Sequence, residues 1–221
     1  MKFEVITIFP DFFESFKQEA LIARAQAKKL ISINTHSLRD YADDERGTID
    51  GRPYGGGAGM VLLFEPIRKA IAKIKKVKKT KVIVFNPKGK KFDQAMARKW
   101  AKIDQVVMIC GRYEGIDERV MTELADEEIS IGDYVLFGGE VPAMIVMEAV
   151  TRLIPGAVAK EESTQNESFS EALKLEHPHY TRPEVITLGK KKLRVPKVLL
   201  SGDHKKVGEW RTKNSRISKV K

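Results

Sequence analysis

Short apolar runs alternate along the chain with longer stretches whose apolar residues recur every three or four positions. The continuous runs, typical of parallel strands covered on both faces, are residues 82–85 and 106–110. Residues 3–9, rich in β-branched and aromatic residues, are also predicted to be a buried strand. The periodic stretches, typical of amphipathic helices, are residues 10–29, 94–103 and 142–153. Strands that alternate with helices in this way predict an α/β domain with a parallel sheet.

The composition changes after residue 160, where apolar residues become isolated among Glu, Ser, Thr, Gln and Asn. Residues 161–174 are therefore predicted to be a flexible linker. We expect an α/β domain over residues 1–160 and a small, basic, mainly helical domain over residues 175–221. Within the latter, a helix is predicted near residues 204–212.

The net charge of +10 comes entirely from the end of the chain. Residues 190–221 hold twelve Lys or Arg against Asp203 and Glu209, whereas residues 1–189 hold 28 charges of each sign. A basic segment on a neutral body favours a polyanion partner, because phosphate contacts release counterions, and nucleic acid is the first candidate. The alternative is a tail that only aids solubility. The lysines of residues 69–81 are interpreted as the solvated face of a helix that leads into a strand.

The sequence also excludes several classes of protein. The longest run without a charged residue, residues 53–64, is too short for a membrane span, and no signal-peptide pattern is found at the N-terminus. The single cysteine, Cys110, cannot form an intramolecular disulfide and is expected in the core. The four histidines lack metal-ligand spacing, so no metal site is predicted. We therefore expect a protein of the reducing cytoplasm.

Three segments carry candidate chemistry. Residues 50–60 (DGRPYGGGAGM) indicate a surface loop that another molecule approaches closely, and they contain neither a P-loop nor a Gly-x-Gly-x-x-Gly pattern. Residues 111–120 (GRYEGIDERV) directly follow a predicted strand, where ligands bind in open α/β sheets. Residues 130–142 (SIGDYVLFGGEVP) join an apolar, strand-like core to a glycine pair and a helix start, where backbone groups can recognise a nucleoside. Each segment alone is also compatible with an ordinary connector or turn.

Together these segments closely resemble one family, the bacterial tRNA (guanine-N1)-methyltransferases of the SPOUT class. The matching stretches run through nearly the whole chain in the family's order, and GRYEGIDERV is the most specific of them. They are ITIFP (6–10), RPYGGGAGM (52–60), CGRYEGIDER (110–119), SIGDYVL (130–136), GGEVPA (138–143), PHYTRP (178–183) and VLLSG (198–202).

The resemblance implies a SPOUT-type α/β domain with a deep trefoil knot, inside which S-adenosylmethionine binds. It implies methyl transfer to N1 of the guanosine immediately 3′ of the anticodon of tRNA, at position 37. It also implies an obligate homodimer with active sites shared between the subunits. The residues that it implies for the cofactor pocket are Asn86, Pro87, Gly111, Tyr113, Glu114, Ser130, Ile131, Gly132, Asp133, Tyr134, Val135, Leu136, Gly138, Gly139 and Pro142.

The resemblance further indicates how the RNA is held. The residues that match the family's target-base region are Asp50, Gly55 and Gly56. Those expected to grip the anticodon arm, together with the basic C-terminal domain, are His179, Tyr180 and Arg182. The remaining histidines, which have no predicted partner and are expected at the surface, are His36, His177 and His204.

Guanine N1 carries a proton, so methylation of this atom requires a base to remove it and a cation to stabilise charge that develops on O6. By resemblance Arg152 is the cation, and a guanidinium suits this role because it does not deprotonate. Where the family commonly has Asp-Ser-Phe, this chain has Glu-Ser-Phe, so Glu167 is the expected base. Glu161 and Glu162 are weaker candidates. The departure from aspartate leaves one alternative, a non-catalytic RNA-binding protein that keeps the fold.

Overall fold

A computed structural model describes residues 1–159, 167–169 and 174–217. The chain forms two compact units, residues 1–159 and 160–221. Most of the segment predicted as a linker lies outside the described residues. Within the described part of the chain, no helix is long and apolar enough to cross a membrane.

The first unit is built from seven strands and six α-helices. Its strands are β1 (Lys2–Thr7), β2 (Ser32–Ser37), β3 (Asp50–Gly51), β4 (Val61–Leu62), β5 (Thr80–Lys91), β6 (Gln105–Ile109) and β7 (Glu127–Ser130). Its α-helices are α1 (Glu14–Gln18), α2 (Ala20–Ala27), α3 (Phe64–Lys73), α4 (Gln94–Trp100), α5 (Glu118–Glu123) and α6 (Glu140–Thr151). Two 3₁₀ helices complete it, Pro10–Phe13 and Leu38–Tyr41.

Five strands form a parallel sheet in the order β2-β1-β6-β5-β7. The three strands that the sequence predicts, β1, β5 and β6, are confirmed and occupy its centre, where both faces are covered. All five residues of β6 are buried. The sequence does not predict the edge strands β2 and β7, because polar residues interrupt their apolar positions.

Helices cover both faces of this sheet. Side chains alternate along β6, so that Val106 and Met108 pack with α2, α4 and α6, while Val107 and Ile109 pack with α3 and α5. Trp100 of α4 is fully buried in the first of these two clusters. The first unit is therefore a three-layer α/β/α structure, which confirms the predicted α/β domain with a parallel sheet.

The segment after β1 departs from the single helix expected over residues 10–29. It forms a 3₁₀ helix and two α-helices, with a break at Glu19, whose backbone is extended. Ala20 follows with a φ of 49°, a left-handed conformation that is uncommon for a residue with a Cβ atom. Apolar residues continue on both sides of the break, so their periodicity does not reveal it.

A buried polar network lies within the sheet around Glu4, which is only 6% exposed. Its carboxylate accepts hydrogen bonds from Asn34 Nδ2 at 3.1 Å and Gln105 Nε2 at 3.3 Å, and His36 Nε2 lies 2.8 Å from it. Burial acts to raise the pKa of Glu4, but hydrogen bonds from His36, Asn34 and Gln105 outweigh it and hold the pKa below its ordinary value of 4.5. His36 is thus half-buried and paired, and the expectation of a surface residue without a partner is wrong.

The second unit combines short strands with helices. Its described elements are β8 (Lys174–Leu175), β9 (Val185–Leu188), β10 (Lys191–Arg194), α7 (Lys197–Leu200), α8 (His204–Asn214) and β11 (Arg216–Ile217). The helix predicted near residues 204–212 is confirmed as α8, and the Asp203 carboxylate caps it by accepting from the N–H groups of Lys205 and Lys206. β9 and β10 form an antiparallel hairpin that the sequence does not predict, because β10 is mostly basic.

Candidate functional site

A cavity of about 360 Å³ opens at the carboxyl ends of β6 and β7, beside an irregular stretch of β5. Ligands bind at this edge in open α/β sheets, and the volume falls within the range of small-molecule sites, roughly 300–1,000 Å³. The structure brings together here segments that are far apart in the sequence. The predicted cofactor-binding residues that line the cavity are Asn86, Pro87, Gly111, Tyr113, Glu114, Ser130, Ile131, Gly132, Tyr134, Val135, Leu136, Gly138, Gly139 and Pro142.

The irregular stretch of β5 forms one wall of the cavity. Pairing between β5 and β7 shifts between Phe85 and Lys90, so that residues 86–89 bulge out of the ladder. Gly89 allows the bulge to return to the sheet, because a Cβ atom there would lie 2.5 Å from the backbone carbonyl carbon of Glu128. Asn86 and Pro87, both predicted to bind the cofactor, therefore line the cavity from a bulge whose two ends are fixed by pairing with β7.

A close approach of two backbone segments forms another side of the cavity. The N–H of Gly139 donates to the carbonyl oxygen of Gly111 at 3.0 Å. A Cβ atom on Gly139 would lie 2.6 Å from the Cα atom of Cys110, so the contact requires glycine.

Cys110 itself is buried, which confirms its predicted place in the core, and burial raises the pKa of its thiol well above the ordinary value.

A buried ion pair connects the cavity lining to α6. Glu140, the first residue of α6, is 1% exposed and accepts hydrogen bonds from Arg112 Nε at 2.9 Å and Thr7 Oγ1 at 2.7 Å. The Arg112 guanidinium also lies over the Phe9 ring, 4.8 Å from its centroid. Arg112 lines the cavity, yet sequence reasoning selects neither member of the pair. The signal in the sequence that could have found Arg112 and Glu140 is their position inside two of the three motifs.

The turn after β6 holds an aromatic residue in a left-handed conformation. Tyr113 has a φ of 60°, which is uncommon for residues with a Cβ atom and concentrates at functional sites. Its side chain is half-exposed at the cavity. The turn is bonded to the end of the glycine-rich segment, since Glu114 N–H donates to Met60 O and Leu62 N–H donates to Gly115 O, both at 3.0 Å. Two of the three motifs are therefore adjacent.

The third motif forms an exposed loop after β7, and the expectation of a strand-like core is wrong. Val135 and Phe137 are 84% and 94% exposed. The chain leaves the sheet after Ser130, so these apolar residues have no neighbouring strand to pair with. Within the described part of the chain, the main-chain N–H groups of residues 135–138 donate no hydrogen bond. They are therefore available to a ligand.

Other predicted residues of the first unit lie outside the cavity. Asp133 is exposed, and its carboxylate lies 2.6 Å from Lys91 Nζ. Asp50 lies in β3, and Gly55 and Gly56 lie in the exposed loop that follows it. Both glycines have positive φ, and no atom lies within 4 Å of the position of a Cβ atom, so this loop is open to solvent.

Arg152 lies at the far end of α6 from the cavity. The helix spans twelve residues, or about 18 Å at 1.5 Å per residue. Pro142, near its start, lines the cavity, whereas Arg152 is the C-cap and lines a second cavity of about 200 Å³. Beyond it, the carbonyl of Gly156 accepts a hydrogen bond at 2.9 Å from Lys28 Nζ, which precedes β2. The helix therefore carries Arg152 to the opposite edge of the sheet.

The predicted base lies in the second unit. Glu167 is partly buried in the short described segment 167–169. The weaker candidates, Glu161 and Glu162, lie outside the described residues. Among the residues that the structure describes, no three His, Cys, Asp or Glu side chains form a group that could hold a metal ion.

The residues predicted to contact RNA in the second unit are exposed: His179, Tyr180 and Arg182. Tyr180 packs against Trp210 with 6.3 Å between ring centroids. His177 packs against Trp210 at 6.1 Å and against His179 at 4.7 Å. His177 is thus partly buried among other rings, so the expectation that it has no partner is wrong, whereas His204 is exposed as predicted.

The parallel sheet and the cavity at its carboxyl edge define an α/β protein with a cavity in the usual place, and of the usual size, of a small-molecule site. A family model described as tRNA (Guanine-1)-methyltransferase TrmD matches residues 1–221. The chain belongs to this family. It is therefore a tRNA (guanine-N1)-methyltransferase by family, and the family's reaction implies a methyl donor.

Bacterial relatives named tRNA (guanine-N(1)-)-methyltransferase match almost the whole chain. The protein of Desulfatibacillum aliphaticivorans is 49% identical over 216 residues, which cover 97% of this chain and 80% of the relative. The protein of Clostridioides difficile strain 630 is 44% identical over 223 residues, or 99% of this chain and 94% of the relative. That of Sulfurihydrogenibium sp. is 50% identical over 212 residues, or 96% and 81%.

Proposed function

We propose that the protein transfers a methyl group from S-adenosylmethionine to N1 of the guanosine at position 37 of tRNA, immediately 3′ of the anticodon, in the cytoplasm. The observation that carries this proposal is the cavity of about 360 Å³, which gathers residues from two of the sequence motifs and borders the third. The names of the relatives, which combine guanine N1 with tRNA, support the substrate.

The lining of the cavity fits S-adenosylmethionine, whose sulfonium supplies an electrophilic methyl group when bound. The main-chain N–H groups of residues 135–138 are available as donors. The approach of Gly139 to Cys110 keeps side chains out of one wall. The half-exposed ring of Tyr113 offers a face to a purine. These residues would hold the cofactor mainly through backbone groups and ring contacts.

The proposed fold includes the deep trefoil knot that the family resemblance implies. Its support is the path of the chain around the cavity. After β7, which pairs with β5, the chain returns beside Gly111 through the Gly139 hydrogen bond before α6 begins. Loops packed in this way would give the cavity a rigid wall.

In the proposed mechanism, Glu167 accepts the N1 proton while the electron pair of the N1–H bond becomes available to the incoming methyl group. The side chain is one methylene longer than aspartate but carries the same carboxylate. Arg152 stabilises the negative charge that develops on O6, and its guanidinium stays charged throughout. Both residues act on the base, and neither is required to bind the methyl donor.

Two chains would complete each active site. The length of α6 separates Arg152 from the cavity of its own chain by more than an arginine side chain can span. In a two-fold symmetric dimer, the same surface of a second copy faces the first, so each cavity can receive Arg152 from the partner subunit. We therefore propose a homodimer with shared active sites.

The RNA would be held by the second unit and by the glycine-rich loop. The basic charge of residues 190–221 suits the phosphates of the anticodon arm, and His179, Tyr180 and Arg182 are exposed to contact it. Asp50 in β3 and the open loop with Gly55 and Gly56 would receive the target base, since the segment that follows the loop is bonded to the turn at the cavity through Met60. This proposal assigns residues 1–160 to the knotted cofactor domain, 161–174 to a linker and 175–221 to tRNA binding.

Calorimetry and a methyl transfer assay test the proposal. The purified dimer should bind S-adenosylhomocysteine and should transfer labelled methyl groups to unmodified tRNA with guanosine at positions 36 and 37. A tRNA with adenosine at position 37 is the control and should gain no label. Binding of RNA without incorporation would favour the non-catalytic alternative, and a monomer that does not bind S-adenosylhomocysteine would overturn the proposal.

A further inference from the structure

Four aromatic side chains form a group in the second unit that we call the ring cluster: His177, His179, Tyr180 and Trp210. The rings of His177 and His179 lie 4.7 Å apart, and Trp210 lies in edge contact with both His177 and Tyr180. Trp210 belongs to α8, whereas the other three follow β8. The cluster therefore joins two parts of the unit at one surface.

The outer rings of the ring cluster are open to solvent. Tyr180 is 50% exposed, and the side chain of His179 is 67% exposed. Among residues 167–169 and 175–216 of this unit no side chain is fully buried, so the rings do not sit inside a core. Exposed aromatic surface that is grouped in this way is a feature of binding sites.

Charged residues lie on both segments of the ring cluster. Arg182 follows Tyr180 by two residues, and Arg211 and Glu209 flank Trp210 in α8, while the carboxylate of Glu176 is 3.4 Å from His179 Nε2. Burial, His179 and Arg211 together lower the pKa of His177, which favours a neutral imidazole at physiological pH. A neutral ring close to a guanidinium suits a stacked base whose phosphate lies near the cation.

We propose that the ring cluster is a stacking site for one unpaired nucleobase of the bound RNA, separate from the cavity that receives the methyl donor. This inference rests on the proposed function, and it adds a base contact to the phosphate contacts of the basic segment. Proteins bind unpaired bases by stacking them on aromatic side chains, whereas bases inside a duplex offer no free face. The occupant is therefore a base of the anticodon loop, and not of its stem.

Two RNAs separate stacking from charge attraction: an unmodified anticodon stem-loop and a blunt duplex of the same stem. Tyr180→Ala should weaken stem-loop binding by roughly five-fold or more, which is the loss expected for one base–aromatic stack. It should leave duplex binding unchanged. Tyr180→Phe keeps the ring and should bind both RNAs as the wild type does. Leu188→Ala, which removes an exposed apolar side chain from β9, is the matched control and should alter neither affinity.

Tryptophan fluorescence gives a second readout. The chain has two tryptophans, and Trp100 is fully buried in the first unit without a hydrogen-bond partner for Nε1 within the described structure. In a Trp100→Phe variant, which loses no hydrogen bond, the signal comes from Trp210 alone. The stem-loop should quench this signal and the duplex should not.

Four results would overturn the stacking site: unchanged stem-loop binding by Tyr180→Ala, equal weakening of stem-loop and duplex binding by Tyr180→Ala, weakening of stem-loop binding by Tyr180→Phe to the same extent as by Tyr180→Ala, or no quenching of Trp210 fluorescence by the stem-loop. These results can be told apart from a failure of the proposed function. If the wild-type protein methylates tRNA but Tyr180→Ala binds the stem-loop normally, only the stacking site is wrong. A wild-type protein that binds neither RNA nor S-adenosylhomocysteine removes both.

Discussion

Arg112 Nε donates a hydrogen bond of 2.9 Å to Glu140 Oε2, and this bond joins the turn after β6 to the first residue of α6. Glu140 is 1% exposed, so its carboxylate depends on Arg112 and Thr7 for all its described polar contacts. Both connected segments line the cavity. The pair therefore controls the relative position of two walls of the site.

Removal of the charge from this pair should destabilise the first unit. In Glu140→Gln, Arg112 keeps its place but loses its buried anion, and we expect a loss of about 2–3 kcal/mol in the free energy of unfolding. Urea denaturation measures this change. Glu148→Gln, on an exposed position of the same helix, is the control and should unfold as the wild type does. An equally stable Glu140→Gln variant would show that the pair does not support the fold.

A methyl group at Gly139 should damage the cavity. In Gly139→Ala the new Cβ atom would collide with the backbone at Cys110, so either the turn or α6 must shift. We expect weaker binding of S-adenosylhomocysteine in calorimetry, together with a lower melting temperature. Gly208→Ala is the matched control, because no atom lies within 4 Å of its Cβ position in α8. That change should leave cofactor binding intact and stabilise the helix by up to about 1 kcal/mol.

The Glu4 network should make the first unit sensitive to acid. The pKa of Glu4 is lower in the folded state than its ordinary value of 4.5, so the folded state favours the carboxylate. Its contribution to stability is complete above pH 4.5 and is lost as the pH falls through the lowered pKa. Urea unfolding at several pH values from about 3 to about 7 should show a shallower acid dependence for Glu4→Gln than for the wild type. Glu45→Gln, at an exposed position, should follow the wild type.

Glu167 should affect turnover and not cofactor binding. We expect Glu167→Ala to reduce the methyl transfer rate by roughly 10²- to 10⁴-fold, the usual range for loss of a general base. Glu167→Asp should retain much of the activity, since it keeps a carboxylate. Glu161→Ala and Glu162→Ala serve as controls. Full activity of Glu167→Ala, with loss of activity in either control, would move the base to that position.

Mixed dimers should show whether the active site is shared. Arg152→Ala leaves the cavity intact, and Gly139→Ala leaves Arg152 intact, so each variant alone should be impaired. In a dimer with one chain of each kind, the cavity of the first chain would receive Arg152 from the second, and about half of the wild-type activity should return. Co-purification with two different affinity tags isolates this species. Mixed dimers without restored activity would place Arg152 in the site of its own chain.

How well the sequence predicts each element depends on how deeply that element is buried in the fold. The runs 82–85 and 106–110 reveal central strands, because burial on both faces removes nearly all polar residues from them. Residues 134–137 form a similar apolar run but mislead, because their side chains are exposed at the cavity and pack in no sheet. The resemblance supplies a role for Arg152, but only the length of α6 reveals its distance from the cavity. Long-range contacts of this kind leave no local pattern in a sequence.

The bulge over residues 86–89 restricts how this gene can vary. β5 pairs with β7 on both sides of the bulge, so the loss or gain of one residue would shift Lys90 and Lys91 by one position and turn their side chains to the opposite face. A side chain at Gly89 would in turn collide with the backbone of Glu128. Homologous sequences should therefore keep both the length of this stretch and its last glycine, and insertions should collect in open loops away from the cavity.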